Sequence, residues 1–282
     1  MTAIELTRVS FRYPGSGPVL REVTFAVRKG QVSWLFGPLG AGASTVLLAV
    51  AGLAPGLTGG TLDGELRVLG EDPRTREGRA RLQGRVAYVT AMPYLQLSGM
   101  AESVYDEVAF TPANLGWSRE RIAQAVPAAL ERLGVAHLSD RVPEQLSGGE
   151  LQRVVIAAML VLEPEVWLLD EPTSALDNAG RRTVASLMRA EAKRGSSILL
   201  ATEEAELGVA VADETILLDD GSAVARGTPA SLLGTELMWE MGAGSTHVAE
   251  LARAARALAG PTPGRLAPPY PLTVEAAMER WR

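Results

Sequence analysis

Several chemically versatile residue types are scarce or missing in this chain of 282 residues. It contains no cysteine, which excludes disulfides, thiolate nucleophiles and cysteine-ligated metal sites. Lysine occurs only as Lys29 and Lys193, and the two histidines are His137 and His247. Chemistry that depends on lysine or histidine therefore has few residues to use.

Long apolar runs are missing as well. The stretch from Val154 to Leu162 is far shorter than the roughly 18 to 20 apolar residues that a membrane span needs, and the first residues lack the apolar region of a signal peptide. The net charge of -6 comes from scattered acids, and no arginines form a basic stripe. We therefore expect no nucleic-acid partner, and we expect any association with a membrane to go through a partner protein.

What is present is an alternation of strand-like and helix-like segments, with 47% hydrophobic and 21% charged residues, as in an α/β protein. Apolar alternation and short apolar runs predict strands at 4–13, 22–27, 31–36, 65–69, 85–89, 166–169 and 197–201, and paired strands within 214–225. Helical patterns cover 46–53, 101–110, 119–133, 148–162, 178–192 and 203–211.

These segments suggest one large domain with an appendage. The domain covers residues 1–228, and its middle part, about 91–162, is a helical insert. A change in composition near residue 228 introduces a helical appendage at 229–282, which contains proline-rich segments at 260–264 and 268–271. Proline-rich segments of this kind act as semi-rigid linkers.

The first motif is a glycine loop that follows a predicted strand and opens a helix. Residues Gly37 to Ser44 match the spacing G-x-x-x-x-G-K-[ST], except that Ala43 stands where the motif has lysine. In this context, backbone N–H groups and the helix N-terminus can hold phosphates. A simple glycine turn without a ligand is the alternative.

The second motif is an apolar strand that ends in two acids, Asp170 and Glu171. Such a strand delivers carboxylates at its C-terminal edge, where Asp170 could hold Mg²⁺ and Glu171 could polarise a water molecule. The alternative is that the two acids are simply solvated residues after a strand. The sequence that follows at 172–177, Pro-Thr-Ser-Ala-Leu-Asp, disfavours this alternative.

The third motif is Leu-Ser-Gly-Gly-Glu at 146–150, where a serine and two glycines open a helix. A helix N-terminus of this kind can bind an anion through its backbone N–H groups and dipole. Ser147 with Glu150 three residues later is also a capping box, which needs no ligand.

Taken in this order, the three motifs resemble the nucleotide-binding domain of the ATP-binding cassette (ABC) family over residues 1 to about 228. The resemblance implies a P-loop NTPase fold with a RecA-like α/β core, an antiparallel β part and a helical subdomain. It implies ATP and Mg²⁺ as cofactors, with Ser44 and Asp170 at the metal and Glu171 as the catalytic carboxylate. Ser174 to Asp177 resembles the D-loop of the family. The other residues that it assigns to nucleotide binding are Tyr13, which would stack on adenine, the P-loop residues Gly37, Gly40, Gly42, Ala43, Ser44 and Thr45, and the signature residues Ser147, Gly148, Gly149 and Glu150.

A narrower resemblance lies in the helical insert. Residues 93–97 and 107–116 are similar to runs in the ATPases of energy-coupling factor (ECF) transporters and cobalt importers, and Pro271-Leu272-Thr273 resembles the helix start in their C-terminal extension. This resemblance implies a membrane-associated subunit on the cytoplasmic face. Its expected partners are a second ATPase, a transmembrane ECF-type subunit and a substrate-binding membrane protein that takes up a vitamin or a metal ion.

Three positions depart from the family pattern, and all belong to one expected pocket. Ala43 replaces the P-loop lysine, Ala91 aligns with the Q-loop glutamine, and Glu203 aligns with the switch histidine. Loss of the lysine charge and gain of a carboxylate both disfavour a bound polyphosphate. Since the family binds ATP between the P-loop of one domain and the signature of another, we expect a degenerate site of its own in a heterodimer.

Two other functions remain open from sequence. One is a soluble ABC-like regulator that binds nucleotide without turnover. The other is an ABC ATPase of DNA repair or of the ribosome, which the absence of a long heptad insert and of a second cassette disfavours.

Overall fold

The computed structural model describes residues 1–259 and 267–281. Its strands are β1 (Thr2–Arg12), β2 (Pro18–Arg28), β3 (Val32–Phe36), β4 (Thr61–Val68), β5 (Val86–Val89), β6 (Val166–Asp170), β7 (Ser197–Ala201), β8 (Glu214–Asp219) and β9 (Ser222–Gly227). Its α-helices are α1 (Ala43–Val50), α2 (Arg76–Leu82), α3 (Val104–Asn114), α4 (Arg119–Arg132), α5 (Gly148–Leu160), α6 (Asn178–Lys193), α7 (Ala205–Val211), α8 (Pro229–Leu233), α9 (Leu237–Glu240), α10 (His247–Ala259) and α11 (Val274–Trp281). The proline-rich segment predicted at 260–264 lies outside the described residues.

Six strands form the central sheet in the order β5-β6-β7-β3-β8-β9. The first five are parallel, and β9 pairs antiparallel with β8. Every residue of β3, β6 and β7 is buried, as expected for parallel strands covered on both faces. The carboxyl ends of these three strands meet at one edge, and each is followed by a predicted site motif.

A smaller antiparallel sheet has the order β2-β1-β4. Its strands alternate buried and exposed residues, because one face packs on the core and the other meets water. The buried face and helix α1 share a hydrophobic core with one face of the central sheet, and Phe11, Val46 and Leu168 are among its members. Helix α1 is therefore clamped between the two sheets.

Helices α3, α4 and α5 form the helical subdomain against the other face of the central sheet. Each begins at a serine, Ser103, Ser118 or Ser147, whose side chain accepts a hydrogen bond from a backbone N–H in the first turn. Their inner side chains, such as Val108 and Leu151, join a second core that also contains Trp34 of β3.

The C-terminal helices pack on that second core. Leu233, Met238, Ala249 and Tyr270 are buried members of it, and the Tyr270 N–H donates to the Gly234 carbonyl at 2.6 Å. After the undescribed residues, the chain therefore returns to the body of the protein before α11 begins.

The predicted fold class is confirmed, and the differences are local. Helix α1 begins at Ala43, three residues before the predicted start, and α3 begins at Val104 and continues through Pro112. Strand β4 begins at Thr61 rather than 65, and α7 begins at Ala205 rather than 203. Helix α2 was not predicted. Within the described ranges, no helix is both long and apolar enough to span a membrane.

Candidate nucleotide-binding site

The glycine loop lies between β3 and α1, and two of its glycines are required by the backbone. A Cβ at Gly37 would overlap the carbonyl oxygen of Leu218 on the neighbouring strand. Gly42 is the N-cap of α1 with φ of 103°, and a Cβ there would lie 2.8 Å from Leu20 Cδ2. Gly40 also has a positive φ but has open space around it. The loop thus has the shape that brings backbone N–H groups and the start of α1 close to a phosphate.

Ser44 and Asp170 come together from α1 and the end of β6. The Ser44 hydroxyl donates to Asp170 Oδ1 at 3.0 Å. Burial raises the pKa of Asp170, which is 7% exposed, while hydrogen bonds from Ser44 and Tyr88 oppose that rise. A hydroxyl and a carboxylate oxygen at the edge of a phosphate loop are ligands that Mg²⁺ accepts, so this pair fits the predicted metal site.

Glu171 is held by the loop that follows β7. Its φ is 47°, and its two carboxylate oxygens accept from the Glu203 N–H at 2.7 Å and from the Thr202 hydroxyl at 2.9 Å. Burial raises the pKa of Glu171, the two hydrogen bonds lower it, and the charges of Glu203 and Asp170 raise it further. Each oxygen of Glu171 accepts one of these bonds, and since a carboxylate oxygen has two lone pairs, each keeps capacity to accept from a water molecule.

One cleft of about 350 Å³ unites these elements. It is lined by 37–45 of the glycine loop, by Asp170 and Glu171, and by 201–203 of the switch loop. Ala43, Ala91 and Glu203 are all among its lining residues, so the structure brings together the three positions that the sequence analysis predicts to depart from the family pattern. None of the lining residues, all of which are described, is a lysine or an arginine.

Gln96 is the glutamine nearest in sequence to Ala91, but it is fully engaged elsewhere. Its Oε1 accepts from the Thr90 N–H at 2.8 Å, and its Nε2 donates to the Tyr88 carbonyl at 2.7 Å. These bonds close the chain over the end of β5. Both ends of the Gln96 amide are therefore hydrogen-bonded, and we do not expect Gln96 to replace the glutamine that the family resemblance places at position 91.

Tyr13, the predicted adenine platform, lies beside the loop rather than among the residues that line the cleft. Its hydroxyl is 3.1 Å from Thr45 Oγ1, and its ring packs edge-on against Phe11 with 4.8 Å between centroids. Thr45 itself is buried and lines the cleft. The tyrosine is thus fixed at the start of α1 with a defined ring orientation.

The signature residues are not brought into this cleft. They form the N-terminus of α5, where the Glu150 carboxylate accepts from both the N–H and the hydroxyl of Ser147, at 2.8 and 2.7 Å. These hydrogen bonds lower the pKa of Glu150. An ideal Cβ at Gly149 would lie 3.0 Å from the Ala175 carbonyl oxygen, so the signature borders the D-loop. The capping box is present, and the exposed Ser147 leaves this helix end accessible from outside.

Two residues at the site have no counterpart in the sequence prediction. Trp34, fully buried on β3, donates its indole N–H to the Thr202 carbonyl at 3.0 Å and so anchors the switch loop. Gly208 lies against the indole so closely that a Cβ would overlap the ring. These two contacts of Trp34 lie 168 positions or more away in sequence, so no local sequence pattern predicts them.

Comparison with known proteins gives consistent matches. A family model described as ABC transporter matches residues 20–174. The energy-coupling factor transporter ATP-binding protein EcfA2 of Methanospirillum hungatei is 35% identical over 227 residues, which are 80% of this chain and 55% of that protein. A putative ABC transporter ATP-binding protein of Methanothermobacter marburgensis is 31% identical over 283 residues, covering 100% of this chain and 99% of its own length.

Among solved structures, cbiO1 of Clostridium perfringens, described as part of the ABC transporter complex cbiONQ, superposes with a TM-score of 0.72. It is 26% identical in sequence, and the match covers 85% of this chain and 94% of that one. The chain thus spans a little over half the length of one relative and nearly the whole length of the other two.

Proposed function

Because this chain belongs to the ABC transporter family, we propose that it is the ATP-binding subunit of an importer of the ECF type. The observation that carries the proposal is the cleft in which the glycine loop, the Ser44–Asp170 pair and Glu171 converge. Sequence similarity to an ECF transporter ATP-binding protein supports the narrower assignment. In this proposal, residues 1–228 are the nucleotide-binding domain, 91–162 its helical subdomain and 229–282 its appendage.

We propose ATP with Mg²⁺ as the ligand. Backbone N–H groups of the loop would hold the phosphates, Ser44 and Asp170 would hold the metal, and the metal would neutralise phosphate charge. Tyr13 would contact the adenine. Glu171, held in place by Thr202 and Glu203, would orient the attacking water through the remaining lone pairs of its carboxylate.

The cleft itself is a poor catalyst in this proposal. Phosphoryl transfer depends mainly on positioning and on positive charge near the γ-phosphate, and the described lining offers no cationic side chain. The Glu203 carboxylate adds negative charge at the same place. Ser147 to Glu150, at the start of α5 with Ser147 exposed, would instead complete the site of a second ATPase, which makes the working unit a heterodimer.

The docking of a transmembrane subunit is supported by an exposed apolar segment in the helical subdomain. Met92, Tyr94, Leu95 and Met100 are 55–77% exposed. An unpartnered run of large apolar side chains indicates an interaction site. The protein would thus sit at the cytoplasmic face of the membrane, and a separate membrane protein would select the vitamin or metal ion.

Co-purification tests this assignment. The tagged chain, expressed in its own host and extracted from membranes with mild detergent, should bring down a second ATPase and a polytopic membrane subunit. Leu95→Glu should release the membrane subunit, whereas Leu57→Glu, at a leucine that is similarly exposed (81%) but lies outside the segment, should retain it. Recovery of the chain without any membrane subunit would favour the non-transport regulator instead.

The purified complex also allows a test of the proposal that the signature acts in a partner's site while the cleft of this chain contributes little to catalysis. Gly148→Asp puts a carboxylate at the signature, where the structure has room for a Cβ, and should abolish ATPase activity. Ala43→Asp, at the first residue of α1, puts the same charge in the degenerate cleft without the backbone strain of a positive-φ glycine position, and it should cost much less. Equal losses would contradict the asymmetric arrangement.

A further inference from the structure

The helical subdomain is joined to the α/β core by apolar packing, by the Gln96 amide, which is hydrogen-bonded to Tyr88 and Thr90 at the end of β5, and by one salt bridge. Apolar side chains of α5, such as Leu151, share one hydrophobic core with Trp167 of β6. Apolar contact is non-directional, so it does not by itself fix one angle between two packed units. In the described part of the chain, a single salt bridge crosses from the subdomain to the core, between Arg132 at the end of α4 and Glu191 of α6.

Glu191 is suited to hold this connection because it is 4% exposed. The Arg132 guanidinium donates to its Oε1. Arg194, on the same segment as Glu191, donates to the same oxygen at 3.2 Å, with a side chain that is 60% exposed. A buried carboxylate requires compensating charge. Of the two arginines that supply it, only Arg132 belongs to another structural unit.

The position of α4 determines the position of the signature. Helix α4 packs against α5, whose N-terminus carries Ser147 to Glu150. An anchor at the end of α4 therefore restricts how far α5 can turn relative to the core that contains the cleft. We propose that Arg132, acting through Glu191, is a positioning residue that fixes the orientation of the signature relative to the α/β core.

The importance of this orientation for a partner's catalysis depends on the proposed function, but the anchoring does not. It can be measured in the purified chain because the sequence has no cysteine, so two introduced cysteines are the only labelling positions. Gln124→Cys on α4 and Glu5→Cys on β1 are both exposed, and neither side chain makes a described ion pair. Spin labels at these positions report the distance between subdomain and core by double electron–electron resonance.

Each variant has a defined expectation. The parent should give one narrow distance distribution, Arg132→Ala a broader or shifted one, and Arg132→Lys a distribution close to that of the parent. Arg194→Ala is the matched control: it removes a charge from the same carboxylate without touching the connection between units, and it should leave the distribution narrow. A narrow distribution in Arg132→Ala, or equal broadening in Arg194→Ala, would overturn the proposal.

Arg132→Ala leaves a buried carboxylate with less compensation and could unfold the chain. The double variant Arg132→Met/Glu191→Leu avoids this, since apolar residues of similar volume often replace a buried ion pair without loss of stability. It should fold, as judged by circular dichroism, and still broaden the distribution. A narrow distribution in this variant would also refute the proposal.

In the co-purified complex, Arg132→Ala should lower ATPase activity and Arg194→Ala should not. Failure to isolate any complex would count against the proposed function, while the spin-label distances would still decide the role of Arg132.

Discussion

Replacement of Ala43 by lysine tests whether the cleft is a phosphate site that lacks only charge. Ala43 is the first residue of α1 and lines the cleft, and no cationic side chain is present among the described lining residues. A lysine there would add a charge-assisted hydrogen bond to a bound polyphosphate, with a net contribution of about 1.5–3 kcal/mol. This corresponds to binding of MgATP that is tighter by a factor of about 10 to 150.

We expect Ala43→Lys to bind MgATP more tightly but not to hydrolyse it. In Ala43→Lys, Glu203 still brings a carboxylate towards the γ-phosphate, and Ala91 still lacks a group that could hold the water or the metal. We do not expect Gln96 to compensate, because its amide is hydrogen-bonded to Tyr88 of β5 and to Thr90 just after that strand. We expect measurable single-turnover hydrolysis at this site only when Ala43→Lys is combined with Ala91→Gln and Glu203→His.

The assay is a titration of the purified chain with a fluorescent ATP analogue in the presence of Mg²⁺. Single-turnover hydrolysis is then measured in the complex, with the partner's own site blocked by mutation, so that a second domain supplies the signature. Ala43→Met is the matched control, since methionine has nearly the length of lysine without its charge. Equal affinities of the Lys and Met variants would refute the reasoning that charge is the missing element. Full hydrolysis by Ala43→Lys alone would show that Ala91 and Glu203 are not the remaining defects.

Two further predictions concern stability. Gly208→Ala should lower the free energy of unfolding by about 1–3 kcal/mol, because the methyl group would overlap a fully buried indole. Gly17→Ala is the control, since Gly17 has open space around it, and urea unfolding should show almost no change in its stability. Equal losses of stability in the two variants would exclude the overlap as the cause. The Tyr270 hydroxyl, with help from nearby arginines, holds the pKa of Glu236 below its ordinary value, so this group contributes stability above the unfolded pKa of about 4.3 and loses it as the pH falls through the folded pKa. Arg253 and Arg256, the ion-pair partners of Glu236, lie on α10. Hydrogen-exchange protection of α10 should therefore fall below that pH in the parent but not in Glu236→Gln, and identical profiles would contradict the assignment.

The parts of the fold that could be predicted from sequence are those with a local signal. Strands β3, β6 and β7 are short apolar runs next to glycine or acidic motifs, and they were predicted to within one residue. Helix α2 was missed because its sequence, REGRARL, has almost no apolar face, with only Gly78 and Leu82 buried. Its first turn is stabilised by the Thr75 side chain, which a search for apolar periodicity does not detect.

The candidate site also contains parts that have a local sequence signal and parts that have none. The glycine loop and the acids after β6 follow from motif spacing, and their assembly into one cleft follows from the parallel sheet. The anchoring of the switch loop could not be predicted, because Trp34 reads as one more apolar residue in a buried strand and its acceptor lies at position 202. The roles assigned to Tyr13 and to the signature stay predictions.

The burial of Leu233, Met238 and Tyr270 in the same core as Trp34 restricts how the chain can be shortened. A truncation at residue 228 would keep every sequence motif of the nucleotide site, yet it would expose to water an apolar surface that the longer chain covers. Such a fragment should aggregate when it is expressed alone. We therefore expect the 1–228 fragment to be less soluble than the full chain, even though both contain the same motifs.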